Sequence, residues 1–188
     1  MDTTELNKSL QTEGQKLLDD LRLTDELSKY GETVIGGSFT YGTMVDRDID
    51  INVVMPDAQI NYALRSAFID YLSTFKQLEG LAMTDRKHFQ KEGRPKGIWF
   101  GPIFNYNGNR WNIDIWFVTK DEPNSHHNLN LHKRMLKITE AQRKTILEIK
   151  YTALIAGTKE KGATSAKIYK AVLDNNISSY QEFVDIPY

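Results

Sequence analysis

Two aspartates stand two residues apart in the segment Asp48-Ile49-Asp50-Ile51, where apolar residues alternate with them. Because the side chains of a β-strand alternate between its faces, both carboxylates should share one face, about 6–7 Å apart, with the isoleucines buried on the other. Like charges this close repel each other, and a hard divalent cation bound to their oxygens relieves the repulsion. The pattern therefore predicts a strand that carries a magnesium site on its polar face.

A third acid, Asp114, interrupts the otherwise apolar run Ile113-Asp114-Ile115-Trp116-Phe117. A carboxylate that is buried without a partner costs several kcal/mol, so Asp114 should have a compensating partner. A metal ion is one candidate. An ion pair with Arg110 or with a lysine is the structural alternative.

A glycine-rich turn precedes the acidic strand. Gly36-Gly37-Ser38 follows the apolar pair Val34-Ile35, which predicts a short strand that ends in a tight turn. Glycines in such a turn let a phosphate approach the backbone N–H groups. Ser38 is predicted to cap a short helix over residues 38–45, with its free N–H groups pointing toward an anion.

The remaining pattern predicts the elements that would position these residues. Apolar periodicity predicts an acid-bearing strand over residues 48–54, a weak strand over 78–84, and helices over 4–22, from Thr24 to Gly31, and from the cap Asp57 to about Lys76. Asn107-Gly108 between aromatic and β-branched runs predicts a hairpin of residues 98–106 and 111–118. After a polar loop over 121–128 the chain should be helical, with a helix capped by Thr139, another that starts near Thr164, and a last one that starts at Ser179.

Composition limits the classes of protein. The 188 residues suit one domain, or one domain with a small appendage. The absence of cysteine excludes disulfides, thiolate zinc sites and a thiol nucleophile. No apolar run approaches the roughly 18 residues of a membrane span, and the polar N-terminus is unlike a signal peptide, so we expect a cytoplasmic protein with no membrane partner.

Charge is unevenly distributed along the chain. The formal net charge of −1 argues against strong nonspecific binding of nucleic acid. Residues 131–170 nevertheless hold ten basic residues against three acidic ones. This segment could face an anionic substrate, or it could be a solvated helix surface.

The turn and the acids together resemble the signature of the nucleotidyltransferase superfamily, which includes DNA polymerase beta and small antibiotic-modifying nucleotidyltransferases. That signature is a hydrophobic residue, Gly, Gly or Ser, a spacer, and then Asp-hydrophobic-Asp-hydrophobic. Here Gly37-Ser38 is followed by nine residues and then by Asp48-Ile49-Asp50-Ile51. The family's third carboxylate lies on a later, adjacent strand, which is the place of Asp114. The matching residues cover about 35–54 and 112–116.

The resemblance implies an α/β (α+β) fold with a mixed β-sheet and flanking helices. It implies a nucleotidyltransferase core with N-terminal helices over residues 1–120, and a helical C-terminal subdomain over residues 121–188. The implied reaction transfers a nucleoside monophosphate from a nucleoside triphosphate, such as ATP, to a hydroxyl acceptor and releases pyrophosphate. Phosphoryl chemistry of this kind needs charge neutralisation and in-line geometry more than it needs a protein nucleophile.

The resemblance also assigns roles. Two Mg²⁺ ions about 3.5–4 Å apart, or Mn²⁺ in their place, would clamp the attacking and leaving oxygens. Asp48 and Asp50 would bridge both ions, and Asp114 would hold the ion that lowers the pKa of the acceptor hydroxyl or would act as its base. Gly37 and Ser38 would bind the triphosphate through a backbone N–H and a hydroxyl.

One departure from the family concerns the cations. Many members have an Arg or Lys shortly after the Gly-Ser pair, but the segment Phe39-Thr40-Tyr41-Gly42 has none, and Arg47 is the first. The triphosphate charge could be met from a basic loop over residues 85–96 or from a basic helix. The candidates are Arg86, Lys87, Arg94, Lys96, Lys144 and Lys150.

Other interpretations of the acids stay open. A calcium loop beginning at Asp46 would need Gly at its sixth position and Glu at its twelfth, where Ile51 and Asp57 stand. Metal-dependent sugar transferases also carry Asp-x-Asp, but they lack the Gly-Ser turn at this spacing. A third possibility is a nucleotide-binding or regulatory module that kept the fold and lost turnover.

Several aromatic and histidine residues have two interpretations each. Trp116 could stack a base or belong to the core, and Tyr41 could contact a nucleotide or pack at the surface. His126-His127 with His132 could bind a metal or could simply be exposed. The near-neutral charge favours a small molecule or a protein side chain over long nucleic acid as the acceptor.

Overall fold

The computed structural model of the protein describes residues 2–126, 129–158 and 162–186. Within them the chain forms eight α-helices and one five-stranded mixed sheet, which confirms the predicted α/β (α+β) class. The helices are α1 (Thr3–Asp20), α2 (Leu23–Ser28), α3 (Gly37–Tyr41), α4 (Tyr62–Ser73), α5 (Asn130–Met135), α6 (Glu140–Ile155), α7 (Ser165–Asn175) and α8 (Tyr180–Val184). The strands are β1 (Glu32–Gly36), β2 (Asp48–Val54), β3 (Leu78–Asp85), β4 (Gly97–Tyr106) and β5 (Asn109–Val118).

The strands lie in the order β1-β2-β5-β4-β3. Three neighbouring pairs are antiparallel, and β2 with β5 is the parallel pair. The predicted hairpin is confirmed, since β4 and β5 are joined by the Asn107-Gly108 turn, where both residues have positive φ. The elements between β2 and β5 form the crossover that a parallel pair requires, and they bring the two acid-bearing strands side by side.

One face of the sheet is the main core. Alternate residues of β5 are fully buried on it, namely Trp111, Ile113, Ile115 and Phe117, and Ile49 and Ile51 of β2 lie with them. Leucines of α1 and α2, together with Leu64, Phe68 and Leu72 of α4, complete this cluster. Burying one such side chain contributes about 1.5–3 kcal/mol, so these contacts hold the three helices on the apolar face.

A second apolar cluster joins the C-terminal helices. It contains buried residues of α5 to α8, among them Met135, Ile146, Tyr169 and Phe183, and it includes Tyr41 from α3. Helix α3 therefore packs on both the sheet and the C-terminal helices. The division of the chain into residues 1–120 and 121–188 stays a prediction. No helix among the described residues is both long enough and apolar enough to cross a membrane.

Three predicted helix starts are wrong, and two of them, Thr24 and Asp57, lie away from the glycine turn. Thr24 lies inside α2, whose N-cap is Arg22 in a left-handed conformation with no side-chain capping bond. Asp57 begins a short 3-10 turn, and α4 starts only after Asn61, whose side chain accepts the Leu64 N–H. The causes differ, since α4 uses a second capping residue, Asn61, that stands close to Asp57, whereas α2 starts directly after a left-handed Arg22 with no side-chain cap.

The N-cap predicted at Thr139 is confirmed and is tested by its removal. The Thr139 hydroxyl accepts the Gln142 N–H at 3.2 Å, and the Gln142 side chain accepts the Thr139 N–H at 3.0 Å. A Thr139→Ala variant should therefore lose about 1 kcal/mol of unfolding free energy in urea titrations followed by circular dichroism. Thr152→Ala, inside the same helix, is the matched control and should cost less than half as much. Equal losses would contradict the capping role.

Candidate active site

Strand register brings the three predicted acids to one face of the sheet. Asp50 on β2 is the direct partner of Asp114 on β5, and Asp48 is the partner of Asn112. Neighbouring strands are about 4.8 Å apart, and direct partners project from the same face. All three aspartates are half-buried on the face opposite the apolar core. The alternation of residues predicted the shared face of Asp48 and Asp50, and the family resemblance implied that Asp114 lies on an adjacent strand, which is where the register places it.

The predicted glycine turn contacts the acids directly. Gly37 has a φ of +62°, in the left-handed region that glycine tolerates best. A Cβ built at this position would overlap the carboxylate of Asp50. Only a residue without a side chain therefore lets the turn and the Asp50 carboxylate occupy their places together.

The predicted capping role of Ser38 is wrong. Helix α3 begins one residue earlier, has Gly36 as its N-cap with no side-chain bond, and ends at Tyr41 instead of continuing to residue 45. The extended Gly36 and left-handed Gly37 turn the chain into the helix before Ser38 is reached, and Gly42 in the left-handed region ends it. Ser38 is buried and lies beside the acids.

A first cleft, called here the turn cleft, separates the sheet from the C-terminal helices. Its volume is about 180 Å³. The sheet side is formed by β2 and the glycine turn, and the opposite side by α7 and the chain before α5. The residues that matter below are Gly37, Ser38, Asp48, Asp50, His126 and Tyr169.

A second cleft, called here the basic cleft, opens beside the first over β3, β4 and β5. Its volume is about 210 Å³, and it is lined by Thr84, Arg86, Lys91, Arg94, Trp99, Asp114 and Trp116. Asp114 accepts a hydrogen bond from the Trp99 indole N–H at 3.0 Å. Arg110, the predicted structural partner of Asp114, forms its ion pair with Glu79 at 3.7 Å.

The donor set decides which metal these residues could bind. As the side chains stand, no three acidic, histidine or cysteine residues in the described part of the chain are grouped so as to hold a metal ion. The backbone nevertheless presents three carboxylates on neighbouring strands, with thiolates absent from the whole sequence. Oxygen donors of this kind are the ligands that Mg²⁺, Mn²⁺ and Ca²⁺ take, so the chemistry fits a hard divalent cation.

His126 is a site residue that the sequence left open between metal binding and simple exposure, and the structure places it half-buried in the site. It lines the turn cleft, and its Nδ1 lies 2.9 Å from the amide nitrogen of the buried Asn52. Burial lowers the pKa of His126 below its ordinary value, and the carboxylate of Asp114 offsets part of that shift. Gly36 makes room for the ring, since a Cβ there would stand 2.6 Å from it. Asn52 was the available signal, because a buried amide on the acid-bearing face requires a partner.

The other histidines have different surroundings. The Nδ1 of His132 lies 2.8 Å from the Tyr41 hydroxyl, and burial raises the pKa of that hydroxyl above its ordinary value. Both residues line the turn cleft. His127 lies outside the described residues.

The basic residues that were considered as ligands of the triphosphate lie in several parts of the structure. Arg86 and Arg94 line the basic cleft. The ammonium of Lys87 donates to the carbonyls of Asp57 and Ile60, at 2.7 and 3.1 Å. Lys96 lines a separate open groove. The two arginines are thus the candidates that lie beside an acid of the site.

The side chain of Lys150 has a structural role, which a substitution at this position tests. The side chain is buried, with its ammonium 2.7 Å from the Thr43 carbonyl and 3.4 Å from the Tyr169 hydroxyl, so it ties α6 to the segment before β2. Lys150→Met should lower the unfolding free energy by about 1–3 kcal/mol, because these acceptors lose a buried donor. Lys144→Met, exposed on the same helix, is the control and should stay within about 0.5 kcal/mol. Urea titration measures both, and equal effects would contradict this role.

Comparison with known proteins does not assign the chain to a family. No protein-family model matches the chain, and no curated protein matches its sequence. What the site can do is therefore inferred from its own residues.

Proposed function

We propose that the protein is a metal-dependent nucleotidyltransferase that transfers a nucleoside monophosphate from a nucleoside triphosphate to a hydroxyl acceptor and releases pyrophosphate. The observation that carries the proposal is the register of the parallel pair, in which Asp50 stands opposite Asp114 with Asp48 on the same face. The contact between Gly37 and the Asp50 carboxylate supports it, because a phosphate-binding turn and a cation-binding acid are then adjacent.

The three aspartates would hold the divalent cation. Mg²⁺ is the expected ion, two per site by the family resemblance, with Mn²⁺ as a substitute. When bound, such ions neutralise phosphate charge and lower the pKa of a coordinated hydroxyl. Asp48 and Asp50 would contribute from β2 and Asp114 from β5, with His126 beside them in the turn cleft.

The protein's own residues would act mainly by position. Gly37 and Ser38 would bind the triphosphate in the turn cleft, and α7 would close that cleft from the other side. The acceptor oxygen would form a bond to the α-phosphorus while the bond from that phosphorus to the bridging oxygen breaks and pyrophosphate leaves. The hydroxyl proton would pass to Asp114. Holding both reactants in line accounts for a large part of the rate enhancement in such reactions.

The proposal is tested with the full chain, Mg²⁺ and each of the four ribonucleoside triphosphates in turn. We expect Mg²⁺-dependent binding of a nonhydrolysable triphosphate, abolished by EDTA, and pyrophosphate release that requires an added hydroxyl compound. Binding without release across a broad panel of acceptors would instead indicate a nucleotide-binding module without turnover. Release of a nucleoside diphosphate from a nucleotide sugar would indicate a sugar transferase.

A further inference from the structure

The three acids are divided between the two clefts. Asp48 and Asp50 line the turn cleft, whereas Asp114 lines the basic cleft. Since Asp50 and Asp114 are direct partners on β2 and β5, the clefts meet at this strand pair. A triphosphate held in the turn cleft would therefore have its reacting phosphate next to a molecule in the basic cleft. That position is the one an acceptor must occupy.

The basic cleft has a strong positive charge. Arg86, Lys91 and Arg94 line it, and Asp114 is the acid among its lining residues. Within the described residues, no ion pair joins Lys91 or Arg94 to a carboxylate, and both side chains are exposed. Guanidinium groups present paired N–H donors that match the oxygens of phosphate. The charge and the donor geometry both favour an anionic occupant.

The same cleft has a flat aromatic wall. Trp99 and Trp116 are direct partners across β4 and β5, and both are half-buried, in contrast to the fully buried Trp111 of the core. The indole of Trp99 is held in place by its bond to Asp114 and by Gly101, where a Cβ would stand 2.5 Å from the ring. Partly exposed, fixed indoles are surfaces on which nucleobases stack.

From these observations we infer that the acceptor is a nucleoside phosphate, bound in the basic cleft. Its base stacks on Trp99 and Trp116, and its phosphate is bound by Arg86, Lys91 and Arg94. The inference rests on the proposed function and names its second substrate. The formal net charge of −1 disfavours a long nucleic acid, so a single nucleotide is the favoured occupant of this cleft of about 210 Å³. The product is two nucleotides joined by a phosphodiester, with pyrophosphate as the leaving group.

The experiment measures the two sites separately. A saturating nonhydrolysable triphosphate with Mg²⁺ fills the turn cleft, and the four nucleoside monophosphates are then titrated while tryptophan fluorescence is recorded. The matching nucleosides, which lack the phosphate, and ribose 5-phosphate, which lacks the base, are titrated in the same way. Both should bind at least about tenfold more weakly than the monophosphates. Transfer from an α-labelled triphosphate to the bound monophosphate is followed in parallel.

Variants assign the binding to the basic cleft. Arg86→Ala with Arg94→Ala should weaken monophosphate binding by about tenfold or more, since two guanidinium contacts are lost. Trp116→Ala should weaken it about fivefold or more, and Trp116→Phe should restore most of the affinity because a flat ring remains. Arg110→Ala, an exposed arginine on β5 outside the cleft lining, is the matched control and should leave the affinity unchanged.

The outcomes separate this inference from the proposed function. The inference is overturned if the arginine variants abolish Mg²⁺-dependent triphosphate binding, because the basic cleft would then be part of the triphosphate site. Oligoribonucleotides that bind more tightly as their length increases would also overturn it, in favour of a polymer. Pyrophosphate release with a different acceptor, and none with nucleotides, refutes the inference while the proposed function stands. If the unsubstituted protein neither binds a triphosphate nor releases pyrophosphate, the inference and the proposed function are both refuted.

Discussion

An Asp50→Asn variant is expected to transfer nucleotide about a thousandfold more slowly than the natural protein. The substitution keeps the shape of the side chain beside Gly37 but removes the charge that stands opposite Asp114. Asparagine is a weak ligand for a hard cation, so Mg²⁺-dependent binding of triphosphate should fall as well. The free energy of unfolding should stay the same or rise, because one of three neighbouring like charges is gone. Pyrophosphate release and urea titration measure the two effects.

Asp70→Asn is the matched control for this experiment. Asp70 lies exposed on α4. The same change of charge there should leave both the transfer rate and the unfolding free energy near their original values. If Asp50→Asn retained a tenth or more of the activity, the carboxylate would not belong to the reaction centre.

A Gly37→Ala variant is expected to lose about 2–5 kcal/mol of unfolding free energy. Part of the loss, about 1–2 kcal/mol, is the cost of a left-handed conformation for a residue with a Cβ. The remainder arises because the new methyl group and the Asp50 carboxylate cannot occupy the same space. Displacement of that carboxylate should also abolish Mg²⁺-dependent triphosphate binding, measured by calorimetry, in any protein that still folds.

A glycine in the hairpin turn is the control for the conformational part of the lost unfolding free energy. Gly108 has a similar positive φ of +77°, and a Cβ there would meet nothing within 4 Å. Gly108→Ala should therefore cost only the conformational 1–2 kcal/mol or so. Combining Gly37→Ala with Asp50→Ala should remove the excess cost of the first change, as a double-mutant cycle would show. Equal losses at positions 37 and 108 would mean that the Asp50 contact carries no energy.

Local patterns in the sequence were sufficient for much of the fold. Alternation over residues 48–54 and 111–118 predicted which faces of β2 and β5 are buried, and Asn107-Gly108 predicted the hairpin. These features depend on residues that are near one another in the chain. The predicted helix starts at Ser38, Thr24 and Asp57 were wrong because capping propensity is weak compared with the packing of each helix on its neighbours.

The parts of the site that could not be predicted come from distant segments. His126 is more than seventy positions away from its partner Asn52, and no periodic pattern connects them. Trp99 reaches Asp114 only because β4 and β5 pair in the observed register. The division of the acids between two clefts likewise depends on the loop of residues 86–96 and on α7, which flank the sheet on different sides of the β2–β5 pair.

The parallel pairing of β2 with β5 has a consequence for the order of folding. Strands β4 and β5 are joined by a two-residue turn and can associate quickly, whereas β2 is separated from β5 by α4 and two further strands. Closing so long a loop is slow relative to hairpin formation. A nascent or partly folded chain therefore carries Asp114 on one unit and Asp48 with Asp50 on another. The three aspartates come together only once the whole sheet has assembled. Under the proposed function, incomplete chains would therefore be unable to consume nucleotides.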